Sequence, residues 1–207
     1  MSGLPTLLAV TTDALCRAPG FLERCAAVGS PGAEVALVVR APESSTAEQA
    51  VAVERTMATV VPLGALVLVH ARPDLARAVG ADGVQLRRPD LPPAEARRVL
   101  GAGWIGVSVH DREAAEAAIA EGADYLVAGN VFETSTHPDR PARGLAWLRD
   151  LCALERPVFA IGGITAERVA AVRAAGATGV AAITAVWQAA DPAAAVRSIL
   201  SAWSAST

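Results

Sequence analysis

Lysine is missing from this chain: all 18 of its Lys+Arg positions are arginine. A guanidinium forms no Schiff base and does not serve as a base near neutral pH, so lysine-dependent aldolase chemistry is excluded. Cysteine is sparse as well. Cys16, Cys25 and Cys152 form an odd, scattered set without CxxC spacing, which argues against a disulfide framework or cysteine-built zinc and fits a reducing cytoplasm. Although 53% of residues are hydrophobic, no uninterrupted apolar run has the length a bilayer requires. The opening Met1-Ser2-Gly3-Leu4-Pro5-Thr6 lacks the basic and apolar regions of an export signal. A net charge of −3 without basic clusters argues against a nucleic-acid partner. The expectation is a cytoplasmic protein that binds neither nucleic acid nor membrane.

What is present is an alternation of β-runs and helical patterns. Strands are predicted near Leu7–Thr12, Glu34–Arg40, Ala65–His70, Gly83–Arg87, Ile105–His110, Tyr125–Phe132, Val158–Ile161 and Val180–Ile183. Most are continuous Val/Ile/Leu/Ala runs, as strands buried on both faces should be. Helices are predicted at Phe21–Val28, Ala47–Val60, Asp74–Val79, Pro93–Leu100, Arg112–Glu121, Leu145–Leu154, Ala166–Ala175 and Pro192–Trp203. The turns Gly80-Ala81-Asp82, Gly122-Ala123-Asp124 and Gly176-Ala177-Thr178 each stop a helix and feed the next strand. The α/β alternation predicts one domain over 1–207, a closed (β/α)8 TIM barrel. An open doubly wound sheet is the alternative, but Thr11-Thr12-Asp13 stands after the first strand where a dinucleotide fingerprint would be.

Two strand ends in the last quarter, Pro157–Ile164 and Gly179–Thr184, finish in small residues before a helical segment. Such ends let backbone N–H groups approach an anion, and in a barrel they form the phosphate site after strands 7 and 8. A phosphorylated small molecule is therefore the expected ligand. The three histidines His70, His110 and His137 fall at or just beyond strand C-termini, the active face of a barrel. His110 begins a helix and reads as a packing or capping residue; His70 and His137 are proton-transfer candidates. Arg40, Arg72 and Arg87 cluster at the ends of strands 2, 3 and 4, where guanidinium groups suit carboxylate or phosphate. Asp13 and Asp90 share that rim, and Asp90 alone is well placed for a hard cation such as Mg²⁺. The long loop from Gly129 to Gly144 suits a lid, with hydroxyls for phosphate and Glu133 as an acid or base.

These strings together resemble the thiamine phosphate synthase/TenI superfamily over nearly the whole chain. The resemblance rests on Ala9-Val10-Thr11-Thr12-Asp13, Ala81-Asp82-Gly83-Val84-Gln85-Leu86, Asp90-Leu91-Pro92 and Gly106-Val107-Ser108-Val109-His110. It continues through the Gly129–Gly144 loop, Ala160-Ile161-Gly162-Gly163-Ile164 and Gly179–Val186. It implies a phosphate site of Gly162, Gly163, Ile183 and Thr184, with Ser108, Asn130, Thr134 and Thr136 as further substrate contacts. Within the superfamily the synthase joins a pyrimidine pyrophosphate to a thiazole phosphate with Mg²⁺, whereas TenI relatives aromatise a thiazole carboxylate phosphate by moving a proton.

The pyrophosphate end departs from the synthase pattern. The Gln-x-Arg-x-Lys run keeps only Arg40, the Asn-Asp pair corresponds to His70-Ala71, and His137 stands near the place of the loop lysine. Each missing charge-assisted contact removes roughly 1.5–3 kcal/mol. The sequence thus points to a TenI-type thiazole tautomerase without cofactor. Arg40 or Arg87 would hold the carboxylate, and His137, His70 or Glu133 would move the proton, since Asn130 replaces the histidine of the TenI loop. The alternatives are a synthase using Mg²⁺ at Asp90, or a barrel that binds thiazole phosphate without turnover. A homodimer is compatible with all three.

Overall fold

Eight short runs of Val, Ile, Leu and Ala bury both faces, and each becomes a parallel strand. A computed structural model describes residues 3–88, 90–134 and 141–206. The strands are β1 (Leu7–Val10), β2 (Val35–Val39), β3 (Leu66–His70), β4 (Gly83–Arg87), β5 (Trp104–Val109), β6 (Tyr125–Gly129), β7 (Val158–Ile161) and β8 (Gly179–Ala182). Each pairs with the next, and β8 returns to β1 with Leu7 opposite Val180, closing the barrel. This is the (β/α)8 barrel that the alternation predicts.

The helices are α1 (Asp13–Arg17), α2 (Phe21–Gly29), α3 (Thr46–Val60), α4 (Pro73–Val79), α5 (Pro93–Leu100), α6 (Arg112–Ala120), α7 (Gly144–Cys152), α8 (Ala166–Ala174), α9 (Thr184–Trp187) and α10 (Pro192–Ser204). None of them is long and apolar enough to cross a membrane. Local chemistry sets their ends. Ser45 and Glu48 form a reciprocal capping box at α3, satisfying two backbone N–H groups that the first turn leaves open. Two short helices, α1 and α9, were not expected, and β6 stops at Gly129 rather than Phe132.

The repeated turns do more than stop helices. Asp82 donates its N–H to the Val67 carbonyl, and its carboxylate accepts the Val67 N–H at 2.8 Å. Asp124 treats Ile105 the same way, accepting at 2.7 Å while also holding Arg97 at 2.6 Å. Thr178 repeats the pattern on Val158. Each turn therefore pins the N-terminal end of β3, β5 or β7, where strand ends would otherwise leave backbone donors unpaired.

Side-chain alternation divides each strand between two layers. Leu8, Val10, Ala36, Val38, Leu66, Leu68, Tyr125, Val127, Phe159 and Ala181 form one apolar cluster, the barrel interior. Their sequence neighbours, including Leu7, Ala9, Leu37 and Val67, join the larger cluster between strands and helices, as do Val84 and Leu86 of β4 and Ile105 and Val107 of β5. Gln85, Arg87, Gly106 and Ser108 thus share the inward face of β4 and β5. Continuing the count places Arg40 after β2 and His70 at the end of β3 on the same face. The barrel's C-terminal mouth is therefore polar while its floor is apolar.

Candidate functional site

At the mouth, Arg40 is fixed through its backbone. Its N–H donates to the Thr11 hydroxyl at 2.8 Å, and that hydroxyl donates back to the Arg40 carbonyl at 3.2 Å. The half-buried Arg40 guanidinium has no hydrogen-bond or ion-pair partner among the described residues. Beside it His70 is buried. Burial, then the charges of Arg40 and Arg87, push its imidazole pKa down to about 4, against the weaker opposing pull of Asp90 and Asp13. His70 is therefore neutral at working pH, with a ring nitrogen able to accept a hydrogen bond.

Arg87 closes on Asp90. Its N–H donates to one carboxylate oxygen at 2.7 Å, and its Nη2 donates to the other at 2.9 Å. Arg72, expected in the same cluster, does not join it. Its guanidinium forks onto Asp74 at 2.8 and 2.6 Å and also reaches Thr46, because that carboxylate stands only two residues away in the first turn of α4. Asp13 is likewise spent on structure: it accepts the Glu43 N–H and the Ser44 hydroxyl, tying α1 to the loop after β2.

Ser108, opposite Arg87 in the register, accepts a hydrogen bond from Gln85 Nε2 at 3.1 Å. Gln85 was not expected to matter, yet it is buried with the Tyr125 ring at its side. Gly106 makes that arrangement fit: a Cβ there would lie 2.1 Å from Tyr125 Cζ and 2.3 Å from Gln85 Oε1.

Across the mouth, the loops after β6 and β7 lock together. Val131 and Phe132 donate their N–H groups to the Ile161 and Gly162 carbonyls. Gly163 lies so close beneath Glu133 that an added Cβ would meet its carbonyl oxygen at 2.4 Å, and its φ of +63° suits glycine. Arg168, also unforeseen from sequence, donates to the Gly163 carbonyl at 2.6 Å and lies 4.7 Å over the Phe132 ring. Ile183 and Thr184, expected as part of an anion cradle, stand at the start of α9 and are half-buried.

Asn130 donates to the Phe132 carbonyl at 3.3 Å. Glu133 is exposed, with Thr134 half-buried beside it. Thr136 and His137 lie outside the described residues. His110 is exposed and pairs through Nδ1 with the Gly129 carbonyl at the end of β6 at 2.7 Å, while Asp111 caps α6. The three cysteines are free thiols; Cys25 is buried and its pKa is pushed up to about 12.

The site can therefore take anions at two ends: a guanidinium rim at β2–β4, and a glycine-rich cradle at β7–β8. Comparison with known proteins meets this picture. A family profile described as thiamine monophosphate synthase matches residues 7–186. A thiamine-phosphate synthase of Thermus thermophilus is 44% identical over 148 residues, covering 70% of this chain and 71% of that protein. One from a Synechococcus strain is 49% identical over 138 residues, and there the match spans only 39% of the relative's length. Among solved structures, thiamine phosphate pyrophosphorylase from Pyrococcus furiosus superposes with a TM-score of 0.84 at 32% identity, over 97% of this chain and 96% of that one. A 3-hexulose-6-phosphate synthase, at 20% identity and TM-score 0.70, shares the fold alone. These relatives give no support to the tautomerase branch expected from the sequence; their names are those of synthases. The chain belongs to the thiamine monophosphate synthase family.

Proposed function

We propose that this barrel is a thiamine-phosphate synthase, joining a pyrimidine diphosphate to a thiazole phosphate. The observation that carries the reading is the pair of anion-accepting ends on one barrel mouth, as coupling two anionic substrates requires. The identity of 44% to the Thermus thermophilus synthase supports the same reaction. Gly162, Gly163, Ile183 and Thr184 hold the thiazole phosphate; Arg40, Arg87 and Ser108 face the diphosphate. A bond forms between thiazole nitrogen and pyrimidine methylene carbon as the carbon–oxygen bond to diphosphate breaks. Negative charge grows on the departing group, and donors preplaced in a partly desolvated mouth stabilise it more than water would.

Synthases of the superfamily use Mg²⁺, and the residues here do not fit it. Ala71 offers no side-chain oxygen where a carboxylate is expected, and Arg87 bonds to both oxygens of Asp90. A hard cation needs such oxygens free. Among the described residues no group of three acidic, histidine or cysteine side chains could hold a metal.

A second reading, aromatisation of a thiazole carboxylate phosphate, would place His70 at the ring, but a pKa of about 4 makes this buried imidazole a weak base for the proton transfer that step requires. Incubating the purified chain with both synthase substrates and detecting thiamine phosphate by chromatography tests the first reading. Coupling supports it; intact substrates after prolonged incubation contradict it.

A further inference from the structure

The mismatch with Mg²⁺ at the β2–β4 rim has a positive side. The half-buried guanidinium of Arg40 has no partner among the described residues, although its backbone is held on both sides by Thr11. The Arg87–Asp90 pair is closed, with Asp90 10% and Arg87 47% exposed along the side chain. Arg87 keeps outward-facing guanidinium surface, while its carboxylate partner is largely covered. The register brings these groups together: Arg40 and His70 directly follow the paired Val39 and Val69, and His70 pairs with Gln85, two residues before Arg87, so both arginine charges oppose protonation of His70. A divalent cation entering there would have to displace Arg87 from Asp90 and then sit among two guanidinium charges. An oxyanion meets the reverse situation: an unspent positive charge at Arg40, the exposed part of the Asp90-paired Arg87 side chain, and the Ser108 hydroxyl on the adjacent strand. Because Ser108 already accepts from Gln85, its own proton is available to donate.

We propose that the β2–β4 rim is a metal-independent oxyanion subsite, in which Arg40 and Arg87 take over the charge neutralisation that a divalent cation provides elsewhere. Its ligand is a diphosphate, an assignment that rests on the coupling reading above. A carboxylate shares the chemistry and is the other anion the subsite accepts. The protein thereby binds diphosphate as the free anion rather than as a magnesium complex.

Calorimetric titration of the full chain with inorganic pyrophosphate tests this, once in EDTA and once in excess Mg²⁺ at matched ionic strength. Binding in EDTA as tight as in Mg²⁺, or tighter, is the expected result. A tenfold or greater tightening by Mg²⁺ overturns the proposal, as does the absence of binding in EDTA. Arg40→Gln removes a side chain with no described protein partner and should keep the circular dichroism spectrum while weakening pyrophosphate binding in EDTA at least tenfold. Unchanged affinity in that folded variant would place the anion elsewhere and overturn the assignment. The readout needs no turnover: metal-free binding without coupling removes the synthase reading alone, and coupling that demands Mg²⁺ for pyrophosphate binding removes this proposal alone.

Discussion

Gln85 Nε2 donates to Ser108 Oγ across the β4–β5 seam at 3.1 Å, beneath the polar mouth and beside the ring of Tyr125. The same amide group also reaches the Leu86 carbonyl at 3.3 Å, so its orientation is set from two sides. Gln85 thereby uses Ser108 as an acceptor and leaves its hydroxyl proton to donate elsewhere. Gln85→Leu keeps the buried volume but leaves that hydroxyl free to rotate. Steady-state kinetics should show kcat lower by about tenfold, equivalent to ~1.4 kcal/mol, with KM for thiazole phosphate nearly unchanged. A rise in KM alone would make Gln85 a packing residue.

His70 makes acid stability a second readout. Its folded-state pKa, about 4, lies below the ordinary value of 6.5 because of burial and the neighbouring Arg40 and Arg87. The unfolded chain therefore binds this proton first as pH falls. Stability is full above pH 6.5 and is lost progressively toward pH 4, by roughly 3 kcal/mol if the other groups are unchanged. Melting temperatures of His70→Asn should fall less steeply over that interval. Parallel curves for the two proteins would contradict the burial of a neutral imidazole.

Arg168 joins the loops at the other end of the mouth by its bond to the Gly163 carbonyl and its stacking on Phe132. Arg168→Ala should weaken thiazole phosphate binding by roughly 5–10-fold, in line with ~1–1.4 kcal/mol for a charge-assisted bond partly exposed to water. Arg168→Lys should restore little, since an ammonium keeps the charge but lacks the planar face. Calorimetry on both variants decides the matter; full recovery in the lysine variant would reduce Arg168 to a point charge.

The barrel was legible because each strand reads as a buried run and each Gly-Ala-Asp turn announces a new one. What the runs conceal is parity. Residues such as Val84 and Gln85 both sit in an apolar run, and only the closed sheet shows that Gln85 faces the interior and Val84 the helices. Counting by twos back from Arg87, an inward polar residue at a strand end, would have found Gln85. Arg72 was misplaced because Asp74 captures it locally, a contact that spacing alone allowed but did not require. Arg168 escaped notice because an exposed helix arginine carries no periodic signal, and its partners lie on two other loops. The short helix α1 had a signal: Thr12 caps it by accepting the Leu15 N–H, and Asp13 occupies its first turn. The reaction was the least legible. Departures at Ala71, Asn130 and the missing lysines argued from single side chains, whereas the relatives' similarity spans most of the chain.

If this mouth couples two anionic substrates as proposed, both products of the coupling form together. The most direct measurement gives one preparation of the chain two assays side by side in EDTA. The first follows thiamine phosphate and released diphosphate from the pyrimidine diphosphate and thiazole phosphate; the second follows aromatisation of a thiazole carboxylate phosphate. Equal amounts of thiamine phosphate and diphosphate, formed at a turnover on the order of 0.1–1 s⁻¹ or higher, are the expected result. Aromatisation at such a rate with no thiamine phosphate would contradict the coupling.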